Sequence, residues 1–149
     1  MTEKESCIFC KLASGEVPSD VLYQDDKTLV ALDVDWAVKG HALVIWKQHM
    51  LNASELTLEE FLHFSQVYWR VEKALLEVLG LDRAITLKIG SLVPHFHHHI
   101  YPISRQHTWP EVKAVIEKPI LSPYQPQAGE KEELVAKVRD LLSKNQVPT

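Results

Sequence analysis

Val93-Pro94-His95-Phe96-His97-His98-His99-Ile100-Tyr101 is the stretch on which the reading of this 149-residue chain turns. Phe96, Ile100 and Tyr101 suit a β-strand, and Pro94 and Pro102 sit where strand ends tolerate proline. Side chains alternate faces along a strand, so His95, His97 and His99 are expected on one face, roughly 6–7 Å apart. His98 is expected to point the other way. Imidazole is not a favoured core group, and each ring nitrogen needs a partner when buried. It titrates near neutrality and can act as base, acid or nucleophile. A histidine-rich strand without a role, or a metal tract, is the competing reading.

Working outward, the strand's neighbour is expected at Ala84–Ile89, with Gly90-Ser91-Leu92 as the tight turn between two antiparallel strands. Upstream, Thr57-Leu58-Glu59-Glu60 has capping-box form. Leu58, Phe61, Leu62, Phe64, Tyr68, Val71, Leu75, Leu76 and Leu79 follow at helical spacing, and Gly80 stops the helix. His63 beside this stripe reads as a partly exposed surface histidine. Ala42-Leu43-Val44-Ile45-Trp46 is an almost wholly apolar run, hence a central strand. Val21-Leu22-Tyr23 and Thr28–Val34, joined by Asp25-Asp26, read as a hairpin. Lys11–Pro18 reads as a helical turn or loop, Asp35–Gly40 as a loop, and Ser104–Pro110 as a polar loop. Pro119–Gly129 holds three prolines, and Glu130–Leu142 closes the chain as an amphipathic helix. The fold class is therefore α+β: an antiparallel sheet of about five strands with one long helix and a C-terminal helix. One domain spanning residues 1–149 is expected, since neither repeat nor linker interrupts it.

Composition narrows the function. A net charge of −4 and the lack of any run of five like charges argue against an electrostatic nucleic-acid binder. No apolar segment approaches the roughly 18 residues of a membrane span, and Met1–Ser6 lacks a signal-peptide core, so the chain reads as cytoplasmic. The two cysteines, Cys7 and Cys10, form a Cys-x-x-Cys pair. In a reducing compartment such a pair is a metal knuckle or a redox pair. No strand precedes it as in a redox active site, so metal is favoured.

His95–Tyr101 resembles the His-φ-His-φ-His-φ-φ signature of the histidine triad (HIT) family of nucleotide hydrolases and transferases. Cys7-x-x-Cys10 is similar to the zinc knuckle of bacterial members. Leu32-Asp33, then Gly40–Ile45 and Lys47-Gln48-His49, resembles the family's nucleotide-binding stretch. The resemblance covers about residues 7–103 in order and spacing and leaves a C-terminal extension, 104–149. Gly90–Pro94 is similar to the short turn of diadenosine polyphosphate hydrolase-like proteins. The resemblance implies a HIT-like fold, a homodimer, and an adenine nucleotide as substrate.

It also implies roles. His97 is the nucleophile and forms a phosphoramidate, which splits one hard displacement into two easier ones. The middle ring alone has a like neighbour on each side, which agrees. His99 is placed to donate toward the α-phosphate or leaving-group oxygen, and His41 to serve as a further phosphate donor. Asp33 is the ribose clamp, as a carboxylate can accept from both hydroxyls. Ser91 stands near the position of a phosphate-holding amide in other members. Leu32, Val34 and Leu43 are candidates for an apolar base pocket, or plain core. Cys7, Cys10, His49 and His95 are the implied ligands of a structural zinc, with no open position. His98, Trp36 and Trp46 depart from the family's usual residues. Three rivals stay open: a catalytic zinc on His95 and His97, a non-catalytic nucleotide-binding module, and a zinc- or copper-handling protein.

Overall fold

The computed structural model describes residues 3–117 and 124–145. Its centre is a five-stranded antiparallel sheet in the order β1-β2-β3-β5-β4. The strands are β1 (Val21–Gln24), β2 (Thr28–Leu32), β3 (Ala42–Trp46), β4 (Arg83–Leu87) and β5 (His97–Ile103). Short helices α1 (Glu3–Ser6) and α2 (Ile8–Ser14) precede them. The long helix α3 (Leu58–Leu79) links β3 to β4, and α4 (Trp109–Glu117) and α5 (Glu130–Lys144) follow β5. The α+β expectation holds. No helix among the described residues is long and apolar enough to cross a membrane.

Cross-strand register places the histidines. Leu43 pairs with His99 and Ile45 with His97, whereas Val44 pairs with His98. Residues 43, 45, 97 and 99 therefore share one face, and 44 and 98 the other. The second face carries the main core, in which Val30, Val44, Phe96 and Ile100 pack beneath Phe64, Val67, Val71 and Leu75 of α3. Helix α3 begins as its sequence dictates. Thr57 Oγ1 accepts from the Glu60 amide at 3.2 Å, and the Glu60 carboxylate accepts from the Thr57 amide at 2.9 Å. Such a cap supplies about 1 kcal/mol.

Several boundaries differ from the sequence reading. The histidine strand begins at His97 and runs through Pro102 to Ile103, so His95 precedes it in a bend. Pro102 is tolerated because the ladder to β3 ends at Ile100, leaving β4 as the strand partner beyond it. Strand β2 stops at Leu32 and β4 spans 83–87, so Asp33 and Ile89 lie in loops. Leu58, Phe61 and Leu62, expected on the buried stripe, are exposed, and Leu58 and Leu62 form a row with Trp69 opposite the Phe64–Val71 line. Helices α2 and α4 replace the turn and loop expected there. For α4 the signal is Thr108-x-x-Glu111, which forms one half of a capping box: the Thr108 amide donates to the Glu111 carboxylate at 2.6 Å. Of the proline-rich stretch, residues 119–123 lie outside the described residues, and α5 runs two residues past its expected end.

His98 has a definite place on the core face, edge-on to Phe64 at 5.0 Å and to Phe96 at 5.4 Å between ring centroids. Burial, with help from His97 and Lys88, pushes its pKa down to about 4. A folded pKa below the unfolded value of about 6.5 means that the unfolded chain binds more protons. The neutral ring's contribution is thus complete above pH ~6.5 and is lost as pH falls toward 4. His98→Leu should flatten the decline of Tm between pH ~6.5 and 4 and leave Tm near pH 7.5 little lower. An unchanged slope would place the acid sensitivity elsewhere.

Candidate active site

On the other face of the sheet His97, His99 and His41 form a chain of rings. His97 Nδ1 lies 2.5 Å from the carbonyl oxygen of His95, so that nitrogen carries a proton and donates. His97 Nε2 is then a lone pair, and it lies 3.1 Å from His99 Nε2, which must donate. His99 Nδ1, now an acceptor, is 3.0 Å from His41 Nε2. At the far end His41 Nδ1 accepts from the Ala37 amide at 3.4 Å. The backbone acceptor beside His97 sets the proton positions along the chain, with all three rings neutral.

Electrostatics agrees with that assignment. Burial pushes His99 down to about 3, aided by repulsion from His41 and His97. Burial also lowers His97, against the pull of the His95 carbonyl, and lowers His41, against the attraction of Asp33. Near pH 7 the rings are free bases. The carboxylate of Asp33 stands 3.6 Å from His41 Nε2, and its other oxygen holds the Asp35 amide at 3.1 Å.

Asp33, Val34, His41, Leu43, Ser91, His97 and His99, all singled out from the sequence, line one cavity of about 600 Å³. Leu32 lines it too, and so do Phe9, Leu12, Tyr101 and Ile116, which sequence reasoning missed. Tyr101 was within reach of it, being two residues beyond His99 and hence on the same face. Its ring stacks on His41 with centroids 4.2 Å apart, and burial, with Asp33 nearby, pushes its hydroxyl up to about 12. Phe9 lies between the two cysteines in sequence and packs its ring against His97 at 4.5 Å. Ile116 comes from α4, so the expected core 7–103 does not contain the whole pocket wall.

A second cluster lies behind the chain of rings. Cys7, Cys10, His49 and His95 bring four ligand atoms within 4.8 Å of one another. Cys7 Sγ is 3.3 Å from His95 Nδ1, and Cys10 Sγ is 3.4 Å from His49 Nδ1 and 3.5 Å from His95 Nδ1. Tetrahedral zinc with ordinary Zn–S and Zn–N bonds requires S···N edges of about 3.6 Å, so the donor set fits that ion. His95 Nε2 lies 2.6 Å from the Trp46 carbonyl, which accepts its proton and leaves Nδ1 free to ligate. Burial and the neighbouring Cys7 push the Cys10 thiol up to about 11. His95 and His97 do not converge on one point. The ring of His95 faces the cysteines and that of His97 the cavity, so the rival catalytic zinc on these two has no site.

Comparison with known proteins follows the same lines. The profile of the HIT domain matches residues 14–107. The "Protein hit" of Bacillus subtilis is 37% identical over 103 residues, covering 66% of this chain and 71% of that protein. An adenosine 5'-monophosphoramidase of Schizosaccharomyces pombe is 36% identical over 102 residues, covering 65% and 74%. Among solved structures, a zinc-bound histidine triad family protein from Mycobacterium smegmatis superposes with a TM-score of 0.72 at 26% identity, covering 95% of this chain and 96% of that one. Profile, relatives and fold agree: the chain belongs to the HIT domain family.

Proposed function

We propose that the protein is a HIT-type enzyme, a hydrolase or nucleotidyltransferase acting at the α-phosphate of an adenine nucleotide through a nucleotidyl intermediate on His97. The observation that carries this reading is the lone pair on His97 Nε2. It is fixed by the Nδ1 hydrogen bond to the His95 carbonyl and faces a cavity shared with Asp33 and His99. The monophosphoramidase activity named for the fission yeast relative supports the reaction class.

Each side chain then has a task. His97 Nε2 attacks phosphorus, forming a P–N bond as the bond to the leaving group breaks. His99 Nε2–H, which points at His97 in the resting chain, turns to donate a hydrogen bond to the departing atom and keeps its proton; the leaving group departs with the electron pair of the broken bond and takes its proton from water. A preorganised donor of this kind is worth about 10²–10³ in rate. A water then displaces the histidine, breaking the P–N bond, whose electron pair returns to His97 Nε2, and gives its proton to solvent as the nucleoside monophosphate is released. His41 Nε2–H holds His99 Nδ1 as an acceptor throughout. Asp33 accepts from the ribose hydroxyls, Ser91 donates to a phosphate oxygen, and Leu43, Val34 and Phe9 flank the base.

The four-ligand cluster is read as a structural zinc site on Cys7, Cys10, His49 and His95, in line with the zinc-bound mycobacterial neighbour. Such an ion supplies folding energy and ties the N-terminal helices to β5, and no chemical step passes through it. The exposed row of Leu58, Leu62 and Trp69, with β4 at the sheet edge, is read as the face of a homodimer.

Two expected outcomes follow. His97→Ala should abolish release of adenosine monophosphate from a panel of adenosine phosphoramidates and dinucleoside polyphosphates while nucleotide binding survives. Turnover by that variant near the wild-type rate would refute the mechanism, and binding without turnover by the wild type would leave a binding module. Cys10→Ala should lose the bound zinc, lower Tm and keep some activity; full zinc content by elemental analysis would overturn the ligand set.

A further inference from the structure

The segment that carries Asp33 ends one strand and precedes the next, and little of its own hydrogen bonding holds it. The Asp33 amide bonds to the His41 carbonyl at 2.9 Å, and the His41 amide to the Val38 carbonyl at 3.1 Å. The carbonyls of Asp33 and Val34 instead point toward α5. Lys131 Nζ donates to Val34 O at 2.9 Å and to Asp33 O at 3.3 Å, and it lies 5.3 Å from the centre of the Trp36 ring. Two further contacts from the same part of the chain bind the loop along its length. The Tyr124 amide donates to the Trp36 carbonyl at 3.3 Å, and Glu130 pairs with Lys39 at 2.8 Å. Residues 33, 34, 36 and 39 are thus each met by the C-terminal extension, which lies outside the matched HIT domain, 14–107.

We infer that α5 is a brace for the nucleotide-binding loop and that Lys131 is a positioning residue, holding the Asp33–Val34 backbone so that the Asp33 carboxylate stands ready for a ribose. The inference rests on the proposed nucleotide site and deepens it. A charged donor on two successive carbonyls restrains both peptide units at once, and charge-assisted bonds are roughly twice as strong as neutral ones. Without them the loop must be ordered when nucleotide binds, and that ordering is subtracted from affinity. Lys131 bonds to the loop's carbonyls and to none of the cavity's histidines. Its removal should therefore raise KM and leave kcat nearly unchanged.

The test compares wild type with Lys131→Met, which keeps the aliphatic stem over Trp36 and deletes the ammonium. Lys131→Arg serves as rescue, and Lys137→Ala is a control that removes another α5 cation. Amide exchange at Asp33, Asp35, Ala37 and His41 reads the brace without any nucleotide. It should quicken in Lys131→Met and recover in Lys131→Arg, and unchanged exchange overturns the inference. Calorimetry with adenosine monophosphate reads the consequence. Lys131→Met should bind about three- to tenfold more weakly, the scale of one or two net hydrogen bonds, and Lys137→Ala as wild type. In an Asp33→Ala background the Lys131→Met loss should vanish, because the brace acts through Asp33. A full additional loss there overturns it. Faster exchange in Lys131→Met with no nucleotide binding by wild type would instead sustain the brace and refute the nucleotide reading.

Discussion

The hydrogen bond from His97 Nδ1 to the carbonyl of His95 is the constraint on which the site depends. A neutral imidazole has one proton and one lone pair, and this bond decides which nitrogen carries which. Once Nδ1 holds the proton, Nε2 carries the lone pair, His99 must donate to it, and His41 must donate to His99. The carbonyl is a firm anchor because the ring of the same residue is held on both sides. Its Nε2 reaches the Trp46 backbone at 2.6 Å and its Nδ1 the cysteines at 3.3–3.5 Å. Residue 95 thus serves two clusters at once, with its ring in the four-ligand group and its backbone under the His97 ring. The four-ligand cluster and the chain of rings therefore adjoin without sharing a side-chain atom.

Burial explains why the rings work as neutral groups. Three imidazoles within hydrogen-bonding distance cannot all hold a second proton, and removal from water lowers each of them further. The site therefore needs no external base to reach its reactive protonation state near neutral pH. The same burial puts acid pH against the fold, since every lowered histidine is a group that the unfolded chain protonates first. The opposite face of β5 shares that property through His98, held among Phe64, Phe96 and Tyr68 with no part in the ring chain.

Much of this was legible in the sequence, for physical reasons that differ from residue to residue. The period-2 alternation of His97 and His99 and the apolar run Ala42–Trp46 give the sheet face directly, because side-chain direction in a strand is local. The Thr57 capping box gives the start of α3 for the same reason. Which side of that helix is buried was not legible: Leu58 and Leu62 are as apolar as Phe64, and only packing on the sheet decides between them. His95 left the expected strand because its ring is drawn to cysteines about ninety residues upstream, a long-range contact without a local signal. Trp36, read as a loop residue, is fully buried, and what buries it is the C-terminal extension. The roles of Tyr124 and Lys131 follow from that contact and from nothing in their own neighbourhood of the chain. The site's chemistry was thus local and its support was not.

The central claim is that His97 Nε2 becomes covalently bound to phosphorus. Rapid quenching of the wild-type protein during turnover of an adenosine phosphoramidate, followed by peptide mass spectrometry at neutral to basic pH, reads this bond directly. The account predicts one adenylyl group on the peptide containing His97, bound at that residue and absent when His97 is replaced. Steady turnover with the adduct on another histidine, or with no adduct at any quench time, would contradict it.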